Sequence, residues 1–109
     1  MGFFQAQTQT VQIDEENTVT IRRLTYGESQ AVISESTQFD PRVQEAKFDF
    51  GRNQAARMKR SVVAWHGPGF EGRPLTEENL LALPSKIGEQ IMQAIVDLND
   101  GLSGEEQKN

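Results

Sequence analysis

The stretch Trp65-His66-Gly67-Pro68-Gly69-Phe70-Glu71-Gly72-Arg73-Pro74-Leu75-Thr76-Glu77-Glu78-Asn79-Leu80-Leu81-Ala82-Leu83-Pro84 decides how the chain folds back on itself. Apolar-periodic segments flank it on both sides, one ending in Val62-Val63-Ala64-Trp65 and the other running from about Ser85 to Leu98. Gly67, Gly69 and Gly72 permit backbone that other residues avoid, and Pro68 and Pro74 remove N–H donors, so neither a helix nor a strand crosses this junction. Thr76 restarts a helix. Its hydroxyl can cap free N–H groups, and Glu77 and Glu78 put negative charge in the first turn. Leu80, Leu81 and Leu83 supply the apolar side of that short helix, and Pro84 closes it or opens the next one.

Working upstream, the set Ala55, Met58, Val62 and Trp65 falls at helical spacing, which predicts one helix over Arg52–Trp65. Between Gln38 and Phe50 two readings stay open: Asp40-Pro41 is a good helix start, while Phe48 and Phe50 alternate like a strand. Thr25 followed by Glu28 matches a capping box, so a helix is expected from there to about Thr37 with Ala31, Val32 and Ser36 on one face. Val11 and Ile13, and then Val19 and Ile21, alternate with polar neighbours around Asp14-Glu15-Glu16-Asn17, which reads as a β-hairpin. Such a hairpin is marginal alone and must pack on helices. Downstream, Ile87, Ile91, Ala94, Ile95 and Leu98 form the clearest stripe, opposite Lys86, Glu89, Gln90, Gln93 and Asp97. The expected fold is therefore α+β, an N-terminal β-hairpin packed against three or four α-helices. It occupies one domain over residues 1–102, with 1–8 partly unpaired and a polar tail over 103–109.

With 109 residues, 36% hydrophobic and 25% charged, the chain supports one modest core. Cysteine is absent, which excludes disulfides and thiolate metal sites. The formal net charge of −5 argues against general nucleic-acid or anionic-membrane binding. No apolar run approaches the roughly 20 residues of a membrane span, and a cytosolic chain is expected.

Candidate chemistry is sparse. His66 is the single histidine, so a zinc or iron site of ordinary ligands is hard to assemble, and Asp14-Glu15-Glu16 lacks the pattern of a calcium loop. Neither a metal nor a cofactor is expected. Ser61 and His66 lack an orienting acid, so no catalytic residues are assigned and the chain is read as non-enzymatic. Gly67, Gly69 and Gly72 spell Gly-x-Gly-x-x-Gly, but Pro68 interrupts them and they follow an expected helix, whereas a dinucleotide loop follows a strand. Arg52, Arg57, Lys59 and Arg60 concentrate positive charge on one segment, either as a solvated face or as a strip for an acidic partner or a second copy of the chain. Trp65 is expected to anchor the core, with Trp65→Ala costing roughly 3–5 kcal/mol if it is fully buried.

The junction and its flanks resemble the tail assembly chaperones of long-tailed bacteriophages. The pieces are an expected helix end at Val62–Trp65, then Gly67-Pro68-Gly69, Gly72-Arg73-Pro74, Leu75 to Leu80, Leu83-Pro84 and an amphipathic helix over Ile87–Asn99. Val19-Thr20-Ile21-Arg22-Arg23-Leu24-Thr25 looks like the opening strand of that group, and Thr37–Phe50 matches none of its motifs. The resemblance implies copies that coat the tape measure protein in the host bacterial cytoplasm until tail tube protein replaces them. Such a chaperone would be absent from the mature virion. Phe39, Phe48 and Phe50, along with Phe3 and Phe4, are candidates for apolar partner contacts, Arg57 and Arg60 for a charged rim, and filling the core is the competing role for the aromatics. Trp65, Gly67, Pro68, Gly69, Pro74, Thr76 and Pro84 form the structural junction. The group commonly makes a longer product by ribosomal slippage, and Gln107-Lys108-Asn109 can be encoded by CAA AAA AAC, which contains a slippery run. The rival expectation is a structural virion subunit of neck, head-completion or tail-terminator type.

Overall fold

The computed structural model describes residues 2–5 and 7–100; the polar tail expected over 103–109 lies outside them. The chain runs β1 (Thr8–Gln12), β2 (Thr18–Arg22), α1 (Tyr26–Ser36), β3 (Thr37–Asp40), β4 (Glu45–Phe48), α2 (Phe50–Ser61), β5 (Val62–His66), a 3₁₀ turn (Pro68–Phe70), α3 (Glu77–Leu81) and α4 (Ser85–Asn99). This is an α+β fold. Strands β1, β2 and β5 make an antiparallel sheet in that order, and β3 and β4 make a separate two-stranded hairpin.

The N-terminal hairpin forms as expected, with Val11 opposite Val19, but its first strand runs Thr8–Gln12, so Ile13, expected in the strand, falls just past its end. Val19 and Ile21 of β2 are fully buried and meet Ile91, Met92 and Ile95 of α4, Met58 of α2, Val62 of β5, Phe70 and Leu80 in one core. The polar side of α4 stays in water, so its 3.6-residue stripe reports its packing directly. Gln90 reaches back to the carbonyls of Gln12 and Ile13 at 3.4 Å each. At the other end of the helix, Asn99 Oδ1 accepts from the Leu24 N–H at 2.8 Å.

The helix expected over Arg52–Trp65 stops at Ser61, and Val62–His66 is a strand. Two adjacent β-branched residues and a tryptophan favour a pleated surface, and β2 offers them a partner edge. The pairing carries a bulge: Thr20 faces Ala64 whereas Ile21 faces Val62, leaving Val63 as the extra residue. The bulge therefore turns Val62 and Trp65, three apart, toward the face that carries Ile21 and Val19. Between Gln38 and Phe50 the helix alternative fails. Asp40-Pro41 opens the turn of the β3–β4 hairpin, Phe48 lies in a strand as its alternation suggested, and Phe50 starts α2 behind the capping Asp49. In α3 only Leu80 is buried; Leu81, expected on the apolar side, is 57% exposed because five residues present one turn to the core.

The capping box at α1 is complete. Thr25 Oγ1 accepts from the Glu28 N–H at 3.1 Å, and Glu28 Oε1 accepts from the Thr25 N–H at 3.0 Å. Glu28 is also gripped by both terminal nitrogens of Arg22, at the end of β2. The Arg22 hydrogen bonds, opposed by burial and aided by the Thr25 N–H, hold the Glu28 carboxyl down at about 2. A depressed carboxyl stabilises the fold above its unfolded pKa, and the contribution fades as pH falls from about 5 toward about 2. Glu28→Gln is expected to cost about 1–2 kcal/mol at neutral pH. In urea melts across the acid range the gap to wild type should close toward about pH 2; a gap independent of pH would contradict this assignment.

Candidate functional site

Two places gather the residues that the sequence singles out: the glycine junction and the β3–β4 arm. At the junction, β5 delivers the chain into Gly67, whose φ of 131° and ψ of 162° suit glycine alone. The tip of the β1–β2 hairpin fills the space that this opens. Asn17 Oδ1 accepts from the Gly69 N–H at 2.7 Å, across 52 residues of sequence. A methyl group on Gly67 would overlap the Asn17 side chain and the Glu16 carbonyl, and one on Gly69 would lie 2.8 Å from the Asn17 amide. Asn17 is itself aimed by Asp14, which accepts from Asn17 Nδ2 at 2.8 and 2.9 Å and from the Glu16 and Asn17 N–H groups at 2.9 Å. The Asn17 amide and then the Glu16 N–H hold the Asp14 carboxyl below its usual range.

The glycine run thus follows a strand, which removes one of the sequence grounds for setting aside a phosphate loop. Its geometry supplies a stronger one. The space beside Gly67 and Gly69 is taken by Asn17, only a single 3₁₀ turn follows Gly67, and the next α-helix begins at Glu77, so no α-helix N-terminus adjoins the glycines. The rest of the junction locks together. Phe70 is buried and stacks on Trp65 with centroids 4.6 Å apart and planes 12° apart, and Trp65 Nε1 donates to the Arg73 carbonyl at 3.0 Å. Asn79 Nδ2 donates to the Pro74 carbonyl at 2.9 Å, Thr76 caps α3 by accepting from the Asn79 N–H at 3.1 Å, and Pro84 precedes the first turn of α4. Trp65 is half-buried and sits on a strand, which corrects the expectation of a helix-end residue.

His66 and Ser61 do not meet. Ser61 is fully buried at the end of α2 and His66 is exposed at the far end of β5, roughly 16 Å of extended chain away. Among the described residues no group of three or more His, Asp or Glu side chains is placed to hold a metal ion. No helix among them is long and apolar enough to cross a membrane.

The basic segment is matched in charge only in part: Arg52 lies 3.7 Å from Asp49, and Lys59 and Arg60 share Glu35. Arg60 donates to Glu35 Oε2 at 2.6 Å and to the Ala56 carbonyl at 3.1 Å, while Lys59 reaches Glu35 Oε1 at 3.3 Å, so both bridge α2 to α1. Arg57 lines a cleft of about 210 Å³ with Arg23, Val32, Ile33 and Asn99.

The aromatic candidates lie elsewhere. In the β3–β4 register, Thr37 faces Phe48 and Phe39 faces Ala46, which puts Phe39 and Phe48 diagonally on one face with Gln38, Asp40, Glu45 and Lys47 on the other. Phe39 is 65% exposed, Phe48 60% and Phe50 65%. They fill no core. Phe3 and Phe4 are also fully exposed, before β1. The missed residues are Asn17 and Phe70: one belonged to a polar turn and the other to a loop, and neither carries a periodic signal. Comparison with models of protein families, with curated proteins and with solved structures finds no match.

Proposed function

We propose that this chain is an assembly chaperone for the tail of a long-tailed bacteriophage, holding apolar segments of the tape measure protein in solution until tail tube protein displaces it. One observation carries the reading beyond the resemblance of the junction: Phe39 and Phe48 share one open face of an arm that stands outside the core, with Phe50 exposed at its root. A chaperone needs an apolar surface of this kind, reversible in use and flanked by charge so that the free protein stays dissolved. Glu45, Lys47 and Asp40 on the opposite face provide that charge. The strand at Val62–His66 alters one piece of the resemblance, and the Gly-Pro-Gly and Pro-Leu-Thr-Glu-Glu-Asn-Leu pieces are unaffected.

The test is co-expression with the tape measure protein of the same genome. Wild type should keep that protein in the soluble fraction, and the double variant Phe39→Ser/Phe48→Ser should lose most of this effect with its own melting midpoint within a few degrees of wild type. Equal solubilisation by both proteins would remove the arm from the mechanism. Purified particles should lack the chain; a fixed stoichiometry there would favour a structural subunit of neck, head-completion or tail-terminator type. Intact-mass analysis of the natural gene with its downstream DNA should reveal a minor product extending past Asn109 if slippage occurs.

A further inference from the structure

The arm has a second property, independent of the function proposed above: the free edge of β4 is complementary to itself. The Asp49 N–H donates to the Ser36 carbonyl at 2.7 Å, so the 36–49 pair is a hydrogen-bonded one. By the alternation of an antiparallel ladder, 38–47 and 40–45 are bonded pairs as well, and 37–48 and 39–46 are not. The N–H and C=O groups of Ala46 and Phe48 therefore point away from β3, along an edge whose residues are all exposed. A second β4 can dock there about a two-fold axis with its aromatic face on the same side only if the paired residue numbers sum to an even value.

Charge and strand length then select the register. Centring the axis on Ala46 sets Glu45 against Lys47 of the other copy and Lys47 against Glu45, two opposite-charge cross-strand pairs around an Ala46–Ala46 bonded pair. Centring it on Lys47 sets Lys47 against itself and Glu45 against Asp49, which repels at each pair. Centring it on Phe48 also opposes Lys47 to Asp49 but sets Ala46 against Phe50, the first residue of α2, and pairs less of β4. A lone edge lysine commonly discourages pairing, but here Glu45 two residues away on the same face answers it. The other edge strands lack this feature: β1, Thr-Gln-Thr-Val-Gln, and β5, Val-Val-Ala-Trp-His, carry no pair of opposite charges to choose a register, and β3 abuts the end of α1 and carries Asp40 alone. A two-stranded hairpin outside the core is also marginal, and pairing would make it four-stranded.

We infer that the chain forms a two-fold dimer by antiparallel pairing of β4 with β4 of a second copy, centred on Ala46, giving a four-stranded sheet with Phe39 and Phe48 of both copies on one face. Sedimentation equilibrium on the purified chain, with no phage protein present, tests this separately from the chaperone reading. Wild type should dimerise, and Lys47→Glu and Glu45→Lys should each weaken the dimer on the order of tenfold or more. An equimolar mixture of the two variants should recover it, since one chain then carries glutamate at both positions 45 and 47 and the other carries lysine at both. The double reversal Glu45→Lys/Lys47→Glu in one chain should also dimerise, because each pairing of position 45 with position 47 keeps opposite signs. A monomeric wild type, single reversals that leave the dimer intact, or failure of both recoveries in folded protein would each overturn the inference.

Discussion

Gly67→Ala is expected to destabilise the fold by about 3 kcal/mol or more, measured by urea unfolding. Two costs add. The backbone at Gly67, with φ 131° and ψ 162°, lies in a region open essentially to glycine, and holding an alanine there costs of the order of 1–3 kcal/mol. The new methyl would also meet the Asn17 side chain and the Glu16 carbonyl, with Asn17 Cα at 2.8 Å, and main-chain atoms cannot swing aside as a flexible side chain can. Relief requires lifting the β1–β2 turn off the junction, which breaks the hydrogen bond from the Gly69 N–H to Asn17. Gly72→Ala is the internal control. Its φ of 70° is left-handed, but nothing lies within 4 Å of an added Cβ, so it should cost only about 1–2 kcal/mol. Equal losses for the two variants would show that backbone conformation, not the seating of Asn17, explains these glycines.

That clamp was illegible in the sequence for a physical reason. Gly67, Pro68 and Gly69 announce that the backbone does something unusual, but what fills the space is Asn17, brought there by strand pairing across 52 residues. Local signals fared better where one interaction decides the structure. The Thr25–Glu28 box, the Thr76 cap and the Ile87–Leu98 stripe each depend on side chains within one or a few helical turns. The β1–β2 hairpin is legible because β2 alternates fully buried Val19 and Ile21 with less buried polar residues, and Val11 is the most buried residue of β1, so the alternation survives. The error at Val62–Trp65 has a specific origin. The bulge at Val63 gives a strand two inward residues three apart, which imitates helical spacing and extends the real stripe of α2 without a break. Adjacent β-branched Val62 and Val63 are the local signal that favours the sheet. The arm carries no decisive pattern because its aromatics face water, and a hairpin without a buried face has none imposed on it by a core.

The same junction gives the second large effect. Trp65→Ala should lower stability by about 2–3 kcal/mol, below the roughly 3–5 kcal/mol expected of a fully buried tryptophan, because the ring is half-buried on β5 opposite Val19. The loss has separable parts. Removing the indole strips Phe70 of its stacking partner at 4.6 Å and exposes a ring that is now 7% accessible, and it leaves the Arg73 carbonyl without its donor at 3.0 Å. Trp65→Phe keeps an aromatic surface over Phe70 and forfeits the N–H, so it should cost about 1 kcal/mol. Trp65 is the single tryptophan, so far-ultraviolet circular dichroism must follow all three proteins. If Trp65→Phe proved as damaging as Trp65→Ala, the hydrogen bond to Arg73 would be what fixes the chain between Gly72 and Pro74. If Trp65→Ala left the midpoint unchanged, the stack would not contribute to stability, and the junction would be held by the Asn17 clamp and the Asn79 hydrogen bonds to Pro74 and Thr76.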